Sequence, residues 1–235
     1  MLVVDAHLSS RTLGLSFRKG KAGPEQELID WFLEQQIIQV PRGHNVTVFR
    51  EPRLPSGFPD LVIVIWKQSV ARQWTSDRAG LSASDLRLMH FLAKEGPKAL
   101  EDLRSIFSAA VEECLQRLAE AAMVRSAKGC WQARSLTTTF AASHIIAVEA
   151  KIGEWRAALD QAHLNTWFAS ESCVLVPRVP RNSELLRDAR ELGVRVFTRD
   201  GDNREIQAPI RSGPRSYVSW LFNDWAWRAA HSFGG

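Results

Sequence analysis

The sequence predicts an α/β protein, a mixed sheet flanked by helices and interrupted by a helical insert. Three observations predict it. Short apolar runs of strand length, many of them β-branched, recur at residues 61–66, 145–148, 173–176 and 194–197. Stretches with apolar residues at three-to-four spacing separate the last three of these runs. A third region, 81–135, has helical spacing almost throughout and ends in a hairpin pattern.

The elements follow in chain order. Residues 9–23 are polar, with Arg11, Arg18, Lys19 and Lys21 among Ser and Gly, and read as a loop or arm. Pro24 suits the first position of a helix, and Glu25 and Glu27 suit its positive end. Leu28, Trp31 and Phe32 extend the pattern, predicting a helix over 24–39 that Pro41-Arg42-Gly43 ends. Val46, Val48 and Arg50 lie in a β-branched run. Residues 52–57 make a turn, and 61–66 is a fully apolar strand. After the insert come a strand over 145–151 and a helix over 153–170 with Trp155, Leu159, Ala162 and Phe168 inward. A strand over 173–176 follows, closed by Pro177. Ser183 caps a helix over 184–192 that Gly193 stops. A strand over 194–197, a turn at Asp200-Gly201, an edge strand over 203–208 and a Trp-rich helix over 216–232 complete the chain.

Within the insert, Ser82 or Ser84 caps a helix carrying Leu86, Met89, Phe91 and Leu92, and Gly96-Pro97 ends it. A short helix with Leu100, Leu103 and Ile106 follows, then a third from about Ser108 to Ala122. A turn at 127–129 joins two short strands. Three helices and a hairpin in this order resemble a winged helix-turn-helix. The chain is therefore divided into a discontinuous domain, 1–75 and 140–235, and an inserted domain, 76–139. Leu86, Met89, Leu92, Leu103, Leu115, Leu118 and Trp131 give the insert a small core, so its excision is expected to leave a folded remainder.

Composition excludes several classes. No apolar run approaches the ~20 residues that cross a bilayer, so no membrane partner is expected. Asp5, His7 and Arg11 interrupt the place where a secretion signal needs its apolar stretch. Cys114, Cys130 and Cys173 are odd in number and lack metal-ligand spacing, which predicts a reducing, cytoplasmic setting. The six histidines show no ligand spacing. The net charge of +4 permits a nucleic-acid partner without requiring one.

The chemistry concentrates at Pro59-Asp60, which opens one apolar strand, and Glu149-Ala150-Lys151, which closes another. Carboxylates on neighbouring strands can converge on one divalent cation, because Mg²⁺ is held by one or two carboxylates with waters and substrate phosphate. Period-two alternation places Glu149 and Lys151 on one sheet face. This combination resembles the PD-(D/E)XK nuclease superfamily, with its restriction-endonuclease-like fold. Arg18-Lys19-Gly20 followed by Glu25-Gln26-Glu27 resembles the opening of archaeal Holliday junction resolvases, with Glu25 at the active-site position and Glu27 as the alternative. The resemblance spans 18–66 and 144–200. Asp60 and Glu149 are 89 residues apart, which departs from a simple turn, and the insert accounts for the gap.

The resemblance implies a Mg²⁺-dependent (endo)deoxyribonuclease, with Mn²⁺ as an alternative ion and DNA as the substrate. Asp60, Glu149 and the Ala150 carbonyl would ligate the metal. Glu25 would hold a second ion or reach the first through water. Lys151 would orient the attacking water, and Gln161 on the following helix stands where some branches place a functional glutamine. Each residue also has an ordinary reading: Asp60 as a turn residue, Glu149 and Lys151 as a surface pair, Glu25 as a helix-end charge, Gln161 as a solvated side chain. His163 and Asn165, near Gln161, read mainly as solvated too. A non-catalytic DNA-binding or regulatory scaffold, and a protein-interaction subunit, remain open. Residues 81–135 of the insert carry eight basic and seven acidic residues, and its third helix carries Glu112, Glu113 and Glu120, a poor surface for phosphate. Its basic wing, 125–128, is the better DNA contact, with a protein partner equally open. Trp220, Leu221, Trp225 and Trp227 read as core against the sheet, with a homodimer contact or a base-stacking platform as alternatives.

Overall fold

The computed structural model describes residues 1–6, 14–20, 22–35, 37–107, 110–179, 184–200 and 212–233. The start of the third insert helix at Ser108, the Ser183 cap, the turn residue Gly201 and the edge strand at 203–208 lie outside these residues.

One mixed six-stranded sheet organises the chain. Its strands are β1 (Leu2–Val4), β2 (His44–Arg50), β3 (Leu61–Lys67), β7 (Ala142–Ala150), β8 (Glu171–Val176) and β9 (Arg195–Thr198), in that spatial order. β2, β3 and β7 run antiparallel to their neighbours among one another. β8 and β9 continue parallel to β7, and β1 pairs parallel with β2 at the other edge. β1 carries no sequence signal, because three residues are too few to establish a period.

Alternation along the strands separates two faces. Val48, Leu61, Ile63, Ile65, Ile146, Val148, Cys173 and Leu175 point to the face covered by α1 (Pro24–Glu34) through Leu28, Ile29 and Phe32. α1 stops at Glu34, five residues before its expected end. The opposite face is covered in two places. Val174, Val176 and Val196 meet α7 (Trp155–Asn165) and α8 (Glu184–Leu192). Phe49, Val62, Val64, Trp66 and Ala147 meet α9 (Tyr217–Phe233). α7 is shorter than expected: Phe168 lies beyond its end but is still buried in the sheet core, while Trp155 is only partly buried.

The region between β3 and β7 opens with the short helix α2 (Gln68–Ala71) and a 3₁₀ turn, Ser76–Gly80. Three helices follow, α3 (Ala83–Glu95), α4 (Leu100–Ile106) and α5 (Val111–Glu120). Ser82 is the cap of α3, in a reciprocal arrangement with Asp85 that satisfies two free amides. A two-residue strand, β4 (Lys98–Ala99), adds to the hairpin of β5 (Val124–Ala127) and β6 (Cys130–Ala133), making a three-stranded sheet. Lys128 and Gly129 both have positive φ, as a tight two-residue hairpin turn requires. The helix α6 (Leu136–Thr139) returns the chain to the main sheet.

This helical layer shares its core with the rest of the chain. Its core holds every expected apolar residue, but also the fully buried Trp220 of α9. Trp225 and Trp227 pack on the sheet core, so α9 serves two cores at once. A buried ion pair reinforces the seam: Arg78 Nη2 lies 2.8 Å from Asp224 Oδ1 and 2.6 Å from the Thr139 carbonyl. The Arg78 guanidinium also sits 3.5 Å from the Trp74 ring centre. Arg228 donates to the carbonyls of Arg78 and Leu81. On its other side, α9 holds β7 through Asn223, whose Oδ1 accepts from the amides of Ala141 and Ala142. The α9 tryptophans are all buried and present no exposed platform for bases.

Among the described residues, no helix is long and apolar enough to cross a membrane. The three cysteines are free thiols.

Candidate functional site

The sheet brings Asp60 and Glu149 together from positions far apart in sequence. β3 pairs with β7 with Leu61 opposite Val148, so the residue before one strand meets the end of the other. Asp60 follows the turn out of β2, where the Glu51 amide donates to the Asp60 carbonyl at 3.0 Å. Its side chain accepts from the Ala150 amide, 2.8 Å from Oδ2, which binds the start of β3 to the end of β7.

Glu149 is buried, 3% exposed, on the face opposite α1. Its Oε1 accepts from Asn165 Nδ2 at 2.6 Å. Asn165 is itself buried at the last turn of α7. Two carboxyl groups removed from water this close together resist ionisation. Burial pushes Asp60 up to about 6, opposed by the Ala150 amide and the Lys151 charge. Burial, then repulsion from Asp60, pushes Glu149 up to about 8, opposed by Asn165, Lys151 and Arg18.

Lys151 departs from the period-two expectation. β7 ends at Ala150, so alternation no longer governs the next side chain. Lys151 Nζ instead reaches the first turn of α1, 3.0 and 3.1 Å from the two oxygens of Glu25. That contact raises the lysine pKa, with Asp60 and Glu149 adding to it. Of the two helix glutamates, Glu25 is the one engaged, and it engages Lys151. Gln161 is exposed one turn before Asn165, and it is Asn165 that meets Glu149.

Two further residues complete the site. Glu51 closes β2, is 9% exposed and adopts φ +48°. Arg18 pairs with its carboxylate and lies 3.8 Å from Asp60 Oδ1. Glu51 has no sequence signal, since nothing marks a strand-end glutamate as buried. Asn165 has a faint one: it follows the buried Ala158 and Ala162 on the inner face of α7.

Among the described residues, no group of three or more His, Cys, Asp or Glu side chains is arranged to hold a metal ion. The donors at this place are the two carboxylates of Asp60 and Glu149. Their oxygen chemistry fits Mg²⁺ or Mn²⁺, ions that keep waters and need few protein ligands. A wide groove of about 1320 Å³ lies at the opposite end of β2 and β3, lined by Phe32, Ile38, Val46, Trp74, Trp227 and Phe233, and includes none of these residues.

Comparisons with protein-family models, curated proteins and solved structures found no match.

Proposed function

We propose that the chain is a divalent-metal-dependent nuclease that hydrolyses phosphodiester bonds in DNA. The observation that carries this reading is the Asp60–Glu149 pair. Two carboxyl groups of like charge, the partly buried Asp60 just before β3 and the buried Glu149 near the end of β7, are destabilised by each other until a cation joins them. The order α1, β2, β3, β7, α7, β8 supports the restriction-endonuclease-like reading. The helical layer with its β4–β6 sheet supports the winged-helix one.

Asp60 and Glu149 would hold Mg²⁺ or Mn²⁺, with the Ala150 carbonyl as a further donor. When bound, such an ion neutralises phosphate charge and lowers the pKa of a water. Asn165 fixes the orientation of Glu149, and Arg18 with Glu51 borders Asp60. Lys151 stays protonated at neutral pH, so it acts as a fixed positive charge toward phosphate and attacking water rather than as a base. Glu25 holds that lysine in place, a positioning role instead of the ligand role first expected.

A supercoiled-plasmid nicking assay with added Mg²⁺ tests the reading. Cleavage by the wild-type chain that is lost in Asp60→Ala and Glu149→Ala, both folded by circular dichroism, supports it. Cleavage that persists in both variants rejects the site. The competing scaffold reading draws on the mutual neutralisation of Glu25 and Lys151. It predicts DNA binding without cleavage and no heat of Mg²⁺ binding by calorimetry.

A further inference from the structure

A cleavage site needs a route for the strand it cuts. Two residues beyond Asn165, the Trp167 ring stands half-buried at the surface, its Nε1 donating to Ser56 on the β2–β3 turn at 3.3 Å. Trp167 lies beside Tyr217, with ring centres 6.0 Å apart. Over Tyr217 sits Arg87 of α3, 4.5 Å from the ring centre and 3.2 Å from its hydroxyl. Arg215 Nε donates to the Thr166 carbonyl next door. Arg53 is exposed on the same turn as Ser56. These contacts link the chain just after Asn165 to the helical layer through Trp167, Tyr217 and Arg87.

Several arginines elsewhere have a carboxylate of their own. Arg50, Arg104, Arg117, Arg156, Arg187 and Arg195 are each neutralised by a carboxylate. Among the described residues, Arg87 and Arg53 form no ion pair, and both are exposed. A guanidinium without a carboxylate, set beside a surface aromatic ring, is the pairing that single-strand binders use. The ring takes a base face and the cation takes a phosphate. A duplex keeps its base faces in its own stack and cannot use the rings this way.

We propose that this line binds single-stranded DNA, with a base stacking on Trp167 beside Tyr217 and phosphates on Arg87 and Arg53. It leads an unpaired strand from the helical layer to Asp60 and Glu149. The inference rests on the nuclease reading of those carboxylates, and it makes α3, not the acidic α5, the nucleic-acid face of the layer.

Fluorescence anisotropy tests it, using a labelled single-stranded oligonucleotide of about 16 nucleotides, the upper end of a single-strand site, in EDTA. Trp167→Ala is expected to weaken binding roughly tenfold, the loss of one stacked base, and Trp167→Phe to retain most of it. Arg87→Ala, a surface change that keeps both rings, is expected to reduce the salt dependence by about 0.7 in logarithmic slope, one phosphate contact on a single strand. A wild-type chain that nicks plasmid while Trp167→Ala and Arg87→Ala bind the strand unchanged overturns this inference alone. A wild-type chain that neither binds nor nicks overturns the nuclease reading with it. Tighter binding to the matching duplex, reduced equally by both variants, overturns the assignment to an unpaired strand.

Discussion

At the seam between sheet and helical layer, Arg78 and Asp224 are buried with opposite charge, each side chain 1% exposed. At the end of the sheet, the buried Glu149 and the partly buried Asp60 face each other with the same charge. In the first region each ion is the other's partner, and the Thr139 carbonyl and the Trp74 ring take up the rest of the guanidinium. Burial still lowers the Arg78 pKa, but Asp224 works against the shift. In the second, the nearest cations are committed to other partners, Lys151 to Glu25 and Arg18 to Glu51. Folding pairs opposite charges in one cluster and leaves the other short of positive charge. Burial of charge therefore distinguishes structure from function only once the sign of the neighbour is read.

The largest expected break in this contrast comes from removing the helical layer. Replacing residues 76–139 with a short Gly-Ser turn strips Trp220 of its cover and Asp224 of its partner. The product is expected to aggregate, with no monodisperse peak on size exclusion. This reverses what the insert's own small core leads one to expect. A smaller break is Arg78→Ala. It leaves a buried carboxylate unpaired and is expected to cost about 3–5 kcal/mol in urea unfolding. Glu149→Gln should do the opposite at the other cluster, removing a like-charge repulsion. Its unfolding free energy without metal is expected to equal or exceed wild type at pH 8, while Mg²⁺ binding by calorimetry disappears.

Proton linkage sharpens the same contrast. Both carboxyl groups bind protons more tightly folded than unfolded, so their contribution is full below pH about 4 and is lost as pH rises through about 6 and then about 8. Urea unfolding in EDTA at pH 5, 6.5 and 8 is expected to show falling stability, with the upper part of the fall absent in Glu149→Gln. Mg²⁺ affinity should rise over the same interval, because the ion displaces those protons. The smallest change is Asn165→Ala. It removes the hydrogen bond that orients Glu149 and is expected to weaken Mg²⁺ binding 10- to 100-fold, roughly the effect of other outer partners of metal ligands. An unchanged affinity by calorimetry would remove Asn165 from the site.

What the sequence made legible follows from the range of each interaction. Residues 61–66 and 173–176 are apolar on both faces, so a short window suffices to find them. Asp60 and Glu149 were legible because charge at the end of an apolar run is conspicuous. The fate of Lys151 was not, since it depends on β7 stopping one residue earlier and on a helix more than a hundred residues away in sequence. Trp220 was misplaced for a related reason. Helical spacing shows that a face of α9 is apolar but not which of two cores receives it. Glu51 and Asn165 acquire their partners, Arg18 and Glu149, only through the folded sheet.

The double service of α9 has a consequence for the order in which the chain is made. Arg78 emerges 146 residues before Asp224. At bacterial and eukaryotic synthesis speeds, the arginine waits on the order of ten seconds for its counter-ion. During that interval neither the sheet nor the helical layer has its closing helix. β7 also lacks Asn223 to hold the amides at its start. A nascent chain in this state exposes two unfinished apolar surfaces at once, and the arrival of a single helix covers both. Chaperone engagement of ribosome-bound chains should therefore end in one step, at the length where α9 clears the exit tunnel.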